Sequence, residues 1–444
     1  LNKVGDNMTD DMNQDIESID NNQPVKAESI FKNRDYRLLF FGQMVSNLGT
    51  HIYNFAISLY ILVLTDGNAT LAGIYMATGG MIYFGFALFG GAIVDRLEKV
   101  RVVYTTDFIN GILILITGSL LFFGLSNTTI IVILFVVTII MGVNGALFNP
   151  AASSLPPHIL QENQLQQHSS ISQGMFAIYG IIGAMLGGVL YSFVPIGVIF
   201  IFNGLTFFFS GVSETFIKTK TLEEGEVHDI TFKQTLVDIK EGLQYVFTLK
   251  PILWLVIIAS MLNFFTVPVV VNGLPYLFEI EIEKEAYFLA ILNSSFTIGI
   301  VIVSVVLAVS IQRERVSPLI YRGLVGMASM FLFTAAALHF LLDGTLSFTW
   351  YMVISAISLI VMGFFNGFIN IPFNVAIMKT IKKQMLGRVV TTIGIISNGL
   401  TPIAIALGGV AIDFLGLRVL FYVAAIAMWA TAILALRNKY VREL

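Results

Sequence analysis

The chain of 444 residues is 56% hydrophobic and only 12% charged, against roughly 25% charged in soluble domains, and its mean hydropathy is +0.83, which marks a membrane protein. A net charge of −3 without any basic stripe gives no reason to expect a nucleic-acid partner. The absence of cysteine excludes disulfides, thiolate metal sites and thiol catalysis.

Residues 1–30 carry Asp6, Asp10, Asp11, Asp15, Glu17, Asp20 and Glu28 against Lys3 and Lys26, with few large apolar groups. Such a segment cannot bury enough surface to fold alone and is expected to be a disordered acidic tail. It lacks the basic start, short apolar core and small-residue cleavage site of a secretory signal, so the first span is expected to do the targeting.

A hydrocarbon core about 30 Å thick needs about 20 apolar residues per helix. With that ruler the sequence contains twelve spans: 38–64, 71–93, 103–125, 129–149, 171–192, 196–217, 252–276, 286–310, 317–341, 348–372, 389–412 and 415–437. The connections TDGNAT, SNTT, VPI, LDGTLS and DFLG are short. Those on the other side include DRLEKVR, Ala151 to Ser170, QRER and KTIKKQMLGR. Only Lys284 and Arg418, of 25 Lys and Arg, fall on the short-loop side. The positive-inside rule therefore places both termini in the cytoplasm of a multi-pass cell-membrane protein.

Residues 218–250 divide the chain into an N-terminal half, 31–217, and a C-terminal half, 251–444. Within the divider, Phe232, Leu236, Ile239, Leu243 and Val246 recur at helical spacing. That pattern predicts an amphipathic helix, lying either along the inner membrane surface or on protein alone. The halves echo one another: Gly142, Phe148, Asn149 and Gly174 match Gly367, Phe373, Asn374 and Gly399, each at an offset of 225 residues. The expected fold is all-α, with 12 transmembrane helices in two pseudo-symmetric six-helix bundles, an arrangement that places a substrate site near mid-membrane.

After the second span the chain reads GGAIVDRLEKVRVV, in which Gly91, Asp95, Arg96, Lys99 and Arg101 resemble the helix-two to helix-three signature of the major facilitator superfamily. Glu98 replaces that signature's second glycine. The matching turn of the second half, SIQRERV, keeps Arg313 but has Gln312 where an acid would fall. FKNRDYRLLFFGQMVSNLG, FNPAASSLPPHILQENQLQQHSS and DIKEGLQYVF are similar to the macrolide-efflux and siderophore-export branch of the drug:proton antiporters. GAMLGGVL, from Gly183, resembles the antiporter motif with Ala184 in place of its proline. The resemblance implies a major facilitator fold, in which the acid Asp95 would dock at the start of helix eleven, near Gly387 and Arg388, as a cytoplasmic gate. The physics agrees, because a carboxylate is stabilised at a helix N-terminus. Asp107 is a candidate partner for Arg96 or Arg101.

Gln43, Asn47, Thr50, His51, Asn54 and Ser58 form one stripe of the first span. Polar groups cannot face lipid unpaired, so the stripe lines either another helix or a wet cavity. Asn263, Asn366 and Asn370 offer matching amides, and Tyr53, Tyr75, Tyr83 and Phe264 offer ring faces. His51 is ionisable at mid-depth. It can carry a coupling proton, line the cavity or serve packing alone. Asp107 and Glu214 are further proton-coupling candidates, near the cytoplasmic ends of their spans.

The sequence thus predicts a secondary active transporter, a proton-coupled exporter of amphipathic small molecules, with a lipid translocator of the same fold as the alternative. No phosphate-cradling GxxxxGK[ST] loop, no HExxH and no GxSxG accompanies the spans, so an enzyme is not expected. The expected partners are a small amphipathic substrate and membrane lipids, in a monomer without a resident cofactor, driven by an ion gradient that the resemblance implies is H+.

Overall fold

A computed structural model describes residues 29–221, 237, 241, 244–308, 317–381 and 386–442. Twelve helices in it are long and apolar enough to cross a membrane, and no strand occurs among the described residues. In the N-terminal half these are α1 (Arg34–Leu64), α2 (Ala69–Val94), α3 (Lys99–Leu120), α4 (Asn127–Ser154), α5 (Glu162–Phe193) and α6 (Ile196–Thr215). In the C-terminal half, α7 begins at Lys250–Pro268 and continues to Glu281. It is followed by α8 (Ala286–Ala308), α9 (Ser317–Leu342), α10 (Phe348–Thr380), α11 (Leu386–Gly399 and Thr401–Leu415) and α12 (Leu417–Arg437).

Local chemistry sets the helix starts. The Asn33 side chain accepts from the Asp35 and Tyr36 amides at the start of α1, and Asn68 and Ser126 do the same for α2 and α4. Asp66 and Gly67, at φ 51° and 78°, turn the chain between α1 and α2, a conformation that glycine adopts without a steric cost.

Several boundaries differ from the hydropathy reading, most of all around the fourth, fifth and seventh spans. Residues 151–170 are mostly helical: α4 runs to Ser154, a short helix covers Pro156–Ile159, and α5 begins at Glu162. A capping box between Gln161 and Gln164 starts α5 there, so the helix projects beyond the apolar run. Further along, α7 runs through Pro268 and Pro275 to Glu281, past the expected end at 276. It widens into π-type turns at Val269–Gly273 and Leu277–Glu281, which absorb the missing proline donors.

Helix pairing repeats at an offset of six. The pairs α3–α6, α2–α4, α3–α4, α1–α5 and α1–α6 recur as α9–α12, α8–α10, α9–α10, α7–α11 and α7–α12. Gly142 lets α4 close onto Ile82 and the Gly79 carbonyl of α2, and Gly367 lets α10 close onto Val303 of α8. The echoed glycines thus serve equivalent contacts in the two bundles. Across the bundles, α2 packs on α11 and α5 on α8.

The C-terminal core includes Leu289, Phe331, Tyr351 and Phe421. The N-terminal bundle has a cluster around Tyr36, Val103 and Leu155 and another around Ile61, Leu134 and Phe200. Exposed Phe123, Phe193, Phe209 and Phe414 face outward, as lipid-facing positions of a membrane helix do.

Two carboxylates tie the start of the divider to the first bundle. Asp35 Oδ2 accepts from the Lys218 amide (3.1 Å), the Thr219 amide (2.9 Å) and the Thr219 hydroxyl (2.7 Å). Glu98 Oε1 accepts from the Thr221 amide (3.0 Å) and hydroxyl (2.7 Å), and Thr221 Oγ1 in turn accepts from the Lys99 amide. Glu98, where the family signature has glycine, is therefore a clamp on the following segment. At the far end Val246 is buried among Ile252, Val256, Ile377 and Val389. The acidic tail, most of the expected amphipathic helix, and Gln312 and Arg313 lie outside the described residues.

Candidate substrate cavity and its gates

A cavity of about 740 Å³ lies between the bundles, within the range typical of small-molecule sites. From the first bundle it is lined by His51, Asn54 and Ser58 of α1, Met76 of α2, and Phe176 and Ala184 of α5. From the second come Asn263 and Thr266 of α7, Asn293 and Thr297 of α8, Met327 of α9, and Met362, Asn366 and Asn370 of α10. The polar groups are amides, hydroxyls and one imidazole on a largely aliphatic and aromatic wall. Among the described residues no Asp, Glu, Lys or Arg lines it.

His51 sits where α1 and α5 cross. A Cβ added at Gly183 would lie 2.5 Å from the His51 Cβ, and one at Gly187 would lie 2.9 Å from the Phe55 Cβ. Gly188 similarly makes room for Ala290 and the Ala286 carbonyl of α8. The glycines of GAMLGGVL thus let α5 pass closely between α1 and α8, and Ala184 between them faces the cavity. The His51 ring stands edge-on to Phe176 and tilted to Tyr179, at 6.2 and 6.0 Å between centroids.

The amides differ in their engagement. Asn370 Nδ2 donates to Asn366 Oδ1 (2.9 Å), and Asn366 faces the Met327 sulfur. Asn263 donates to the Ser397 carbonyl and to Asn398 Oδ1, so it also joins α7 to α11. Asn47 does not line the cavity. It lies one turn toward the N-terminal end of α1, exposed, with Nδ2 donating to the Gln43 carbonyl (2.7 Å).

Tyr53 and Tyr75 also fall elsewhere. Both are buried inside the first bundle, Tyr53 against Phe200 and Tyr75 with its hydroxyl accepting from Thr138. Their rings point away from the stripe because they occupy the opposite side of their helices.

Asp107 is likewise not the partner of Arg96 or Arg101. It is buried at the α3–α6 contact, where its carboxyl and that of Glu214 both reach the Ser210 hydroxyl. Asp107 Oδ2 and Glu214 Oε2 have no hydrogen-bond partner among the described residues. Gly42 brings α1 against the same serine. The Asn144–Asn110 hydrogen bond (2.8 Å) is a second buried polar link in this bundle, joining α4 to α3.

The cavity is sealed at the end where α2 begins and α11 ends. Asp413 of α11 accepts from the Ala69 and Thr70 amides of α2, Tyr191 donates to Glu279 (3.4 Å), and Gly188 packs on α8. Along α2–α11 close packing continues to Gly80, whose Cβ would lie 2.8 Å from Pro402. Toward the C-terminal end of α2 it ends: Gly85, Gly91, Gly174, Gly394 and Gly399 have open space where a Cβ would be. The cavity therefore opens toward the helix ends that carry Asp95 and the start of α11. Asp95 and Arg101 are exposed there. The Asp95 carboxylate makes no hydrogen bond or ion pair with a described residue, and the Arg388 side chain lies outside those described.

Helix nine's Ile320 and Met327, and the aliphatic run from Leu255 to Leu274, complete the walls. Apolar residues in a span carry no sequence mark separating a cavity wall from a lipid face. The cap by Asp413 could be suspected from a lone acid ending an apolar helix, but its target is 344 residues away.

The sequence profile described as Major Facilitator Superfamily matches residues 39–406. Macrolide efflux protein A of Streptococcus pyogenes is 22% identical over 426 residues, covering 93% of this chain and 99% of that protein. The MFS-type transporter YkuC of Bacillus subtilis is 25% identical over 375 residues, 81% of each. A bacterial homologue of the iron transporter ferroportin, solved in an inward-facing state, superposes with a TM-score of 0.69 at 16% identity, covering 93% of this chain and all of that one.

Proposed function

Since the chain belongs to the Major Facilitator Superfamily, we propose that it is a proton-coupled secondary active exporter of neutral, amphipathic small molecules, working by alternating access. It acts as a monomer in the cell membrane, surrounded by lipid, with both termini in the cytoplasm and an ion gradient in place of any resident cofactor. The observation that carries this reading is the mid-depth cavity, walled by both bundles, sealed outward and lined by neutral hydrogen-bonding groups. Rocking the bundles about such a site exposes it to each side in turn. A cavity without a fixed charge suits cargo without one, since an unpaired ion there would be costly. The similarity to a macrolide efflux protein supports outward transport of a bulky, hydroxyl-rich solute.

His51 is the proposed coupling group, being the ionisable side chain on the cavity wall. The Asp107–Glu214 pair is the second proton-binding candidate, set within the first bundle. Asn54, Asn263, Asn366 and Asn370 bind cargo, and Asn47 meets it at the entrance. Gly91, Asp95, Arg96, Arg101 and Arg388 form the cytoplasmic gate when it closes.

The test is uptake into proteoliposomes under an imposed proton gradient, comparing a neutral macrolide, a permanent cation and a headgroup-labelled lipid. Gradient-dependent accumulation of the macrolide is expected. Movement of the lipid alone would make the protein a lipid translocator, and absence of any gradient effect would reject proton coupling.

A further inference from the structure

The outer seal contains a charged contact whose geometry mirrors the cytoplasmic gate. The helix α2 begins at Ala69, and its first N–H groups have no partner within the helix. Asn68 Oδ1 takes the Leu71 amide at 2.8 Å. The next two are taken from the opposite bundle: Asp413 Oδ1 accepts from Ala69 at 3.1 Å, and Oδ2 from Thr70 at 2.7 Å. One carboxylate thus caps α2 with both oxygens at its positive end. No Lys or Arg among the described residues pairs with Asp413, whose carboxylate is held by these amides. Just below, Gly409 and Gly73 allow α11 and α2 to touch backbone to backbone, and Asn272 Nδ2 donates to the Ile405 carbonyl, holding α7 against α11.

At the other end of the same two helices the roles are exchanged. Asp95 stands immediately after the last residue of α2, and α11 starts at Leu386. Each helix therefore carries a carboxylate at or near its C-terminal end, beside the start of the other. Close packing of α2 on α11 covers only the outer half, from Ala69 to Gly80, and Asp95 is exposed.

We propose that Asp413 is the outer latch of the transport cycle, a gating residue that opposes Asp95. This rests on the rocking reading above. The two bundles pivot about mid-depth, so motion that brings Asp95 onto the start of α11 withdraws Asp413 from the start of α2. The latches cannot both be closed, and their balance sets the ratio of inward-open to outward-open protein.

The chain has no cysteine, so Thr128→Cys and Ser347→Cys can carry spin labels at the exposed outer ends of α4 and α10 in the full-length protein. Double electron–electron resonance in lipid nanodiscs then reads the distance between the bundles. Asp413→Ala is expected to raise the ratio of long-distance to short-distance populations about threefold to tenfold, the size of a lost helix cap. Asp413→Asn should have a smaller effect, and Asp413→Glu should restore the original ratio. Gly73→Trp, a wedge in the outer seam, should lengthen the distance regardless of the latch. If the wedge lengthens it while Asp413→Ala and Asp413→Asn leave the ratio unchanged, the latch is rejected and rocking stands. If the wedge also leaves the distance unchanged, the rocking reading itself is rejected.

Discussion

Gly183 of α5 and His51 of α1 share one packing position: a methyl group on the glycine would sit 2.5 Å from the histidine Cβ. The glycine is thus a condition for the imidazole's place on the cavity wall. Gly183→Ala is expected to force α1 and α5 apart, at a cost of about 1–3 kcal/mol. Gly180→Ala, whose new carbon would meet Thr297 at an ordinary 3.6 Å, should be tolerated. Thermal unfolding of the two variants in detergent checks the contrast, with a lower midpoint expected for Gly183→Ala alone.

The His51 ring has aromatic neighbours rather than an ionic partner, so its loss leaves no unpaired charge behind. His51→Gln is expected to keep cargo affinity within about threefold while reducing gradient-driven accumulation at least tenfold. A tenfold change corresponds to about 1.4 kcal/mol. Equilibrium binding and proteoliposome uptake, measured on the same preparation, separate these effects. An undiminished gradient response would move the coupling role to the Asp107–Glu214 pair.

That pair makes an opposite prediction for stability. Each carboxyl reaches Ser210, and each keeps an oxygen with no partner. Asp107→Asn is expected to be neutral or stabilising, since it relieves crowding of two acids. Ser210→Ala should destabilise by about 1–3 kcal/mol, because it strands buried oxygens. Thermal unfolding of the single and double variants reads the coupling directly, and equal losses in both single variants would contradict the shared-hydroxyl arrangement.

The carboxylate clamps on residues 218–221 predict local protection. Asp35→Asn should accelerate hydrogen exchange at the Lys218 and Thr219 amides about tenfold, and Glu98→Gln should do so at Thr221. Each effect should be confined to its own amides. Exchange measured by mass spectrometry on the detergent-solubilised protein tests both.

A cavity wall without fixed charge also predicts how selectivity can be changed. Asn293→Asp places a carboxylate on that wall with little change in volume. It is expected to improve competition by permanent cations about tenfold over neutral cargo. Competition binding with matched neutral and quaternary-ammonium ligands measures the ratio.

The twelve spans were legible because a bilayer imposes a length and a polarity that few other structures share. What the ruler missed lies off its scale. The start of α5 is polar and is set by the Gln161–Gln164 capping box rather than by hydropathy. The stripe of α1 was readable, since a helical wheel collects His51, Asn54 and Ser58 onto one face. Which neighbour a polar residue meets was not: Tyr75 turned inward to Thr138, and Asp107 met Glu214, 107 positions further along the chain. Such pairings are decided by packing between distant helices. The apolar cavity walls were hidden for a different reason, because lipid and amphipathic cargo select the same side chains.

The divider is held at both ends, at Thr221 by Glu98 and at Val246 by the second bundle's core. Thr221 and Val246 are thereby fixed to different bundles. Any rocking of one bundle against the other must change the separation of these two residues, so a probe pair at the ends of the divider would report the motion without touching the cavity.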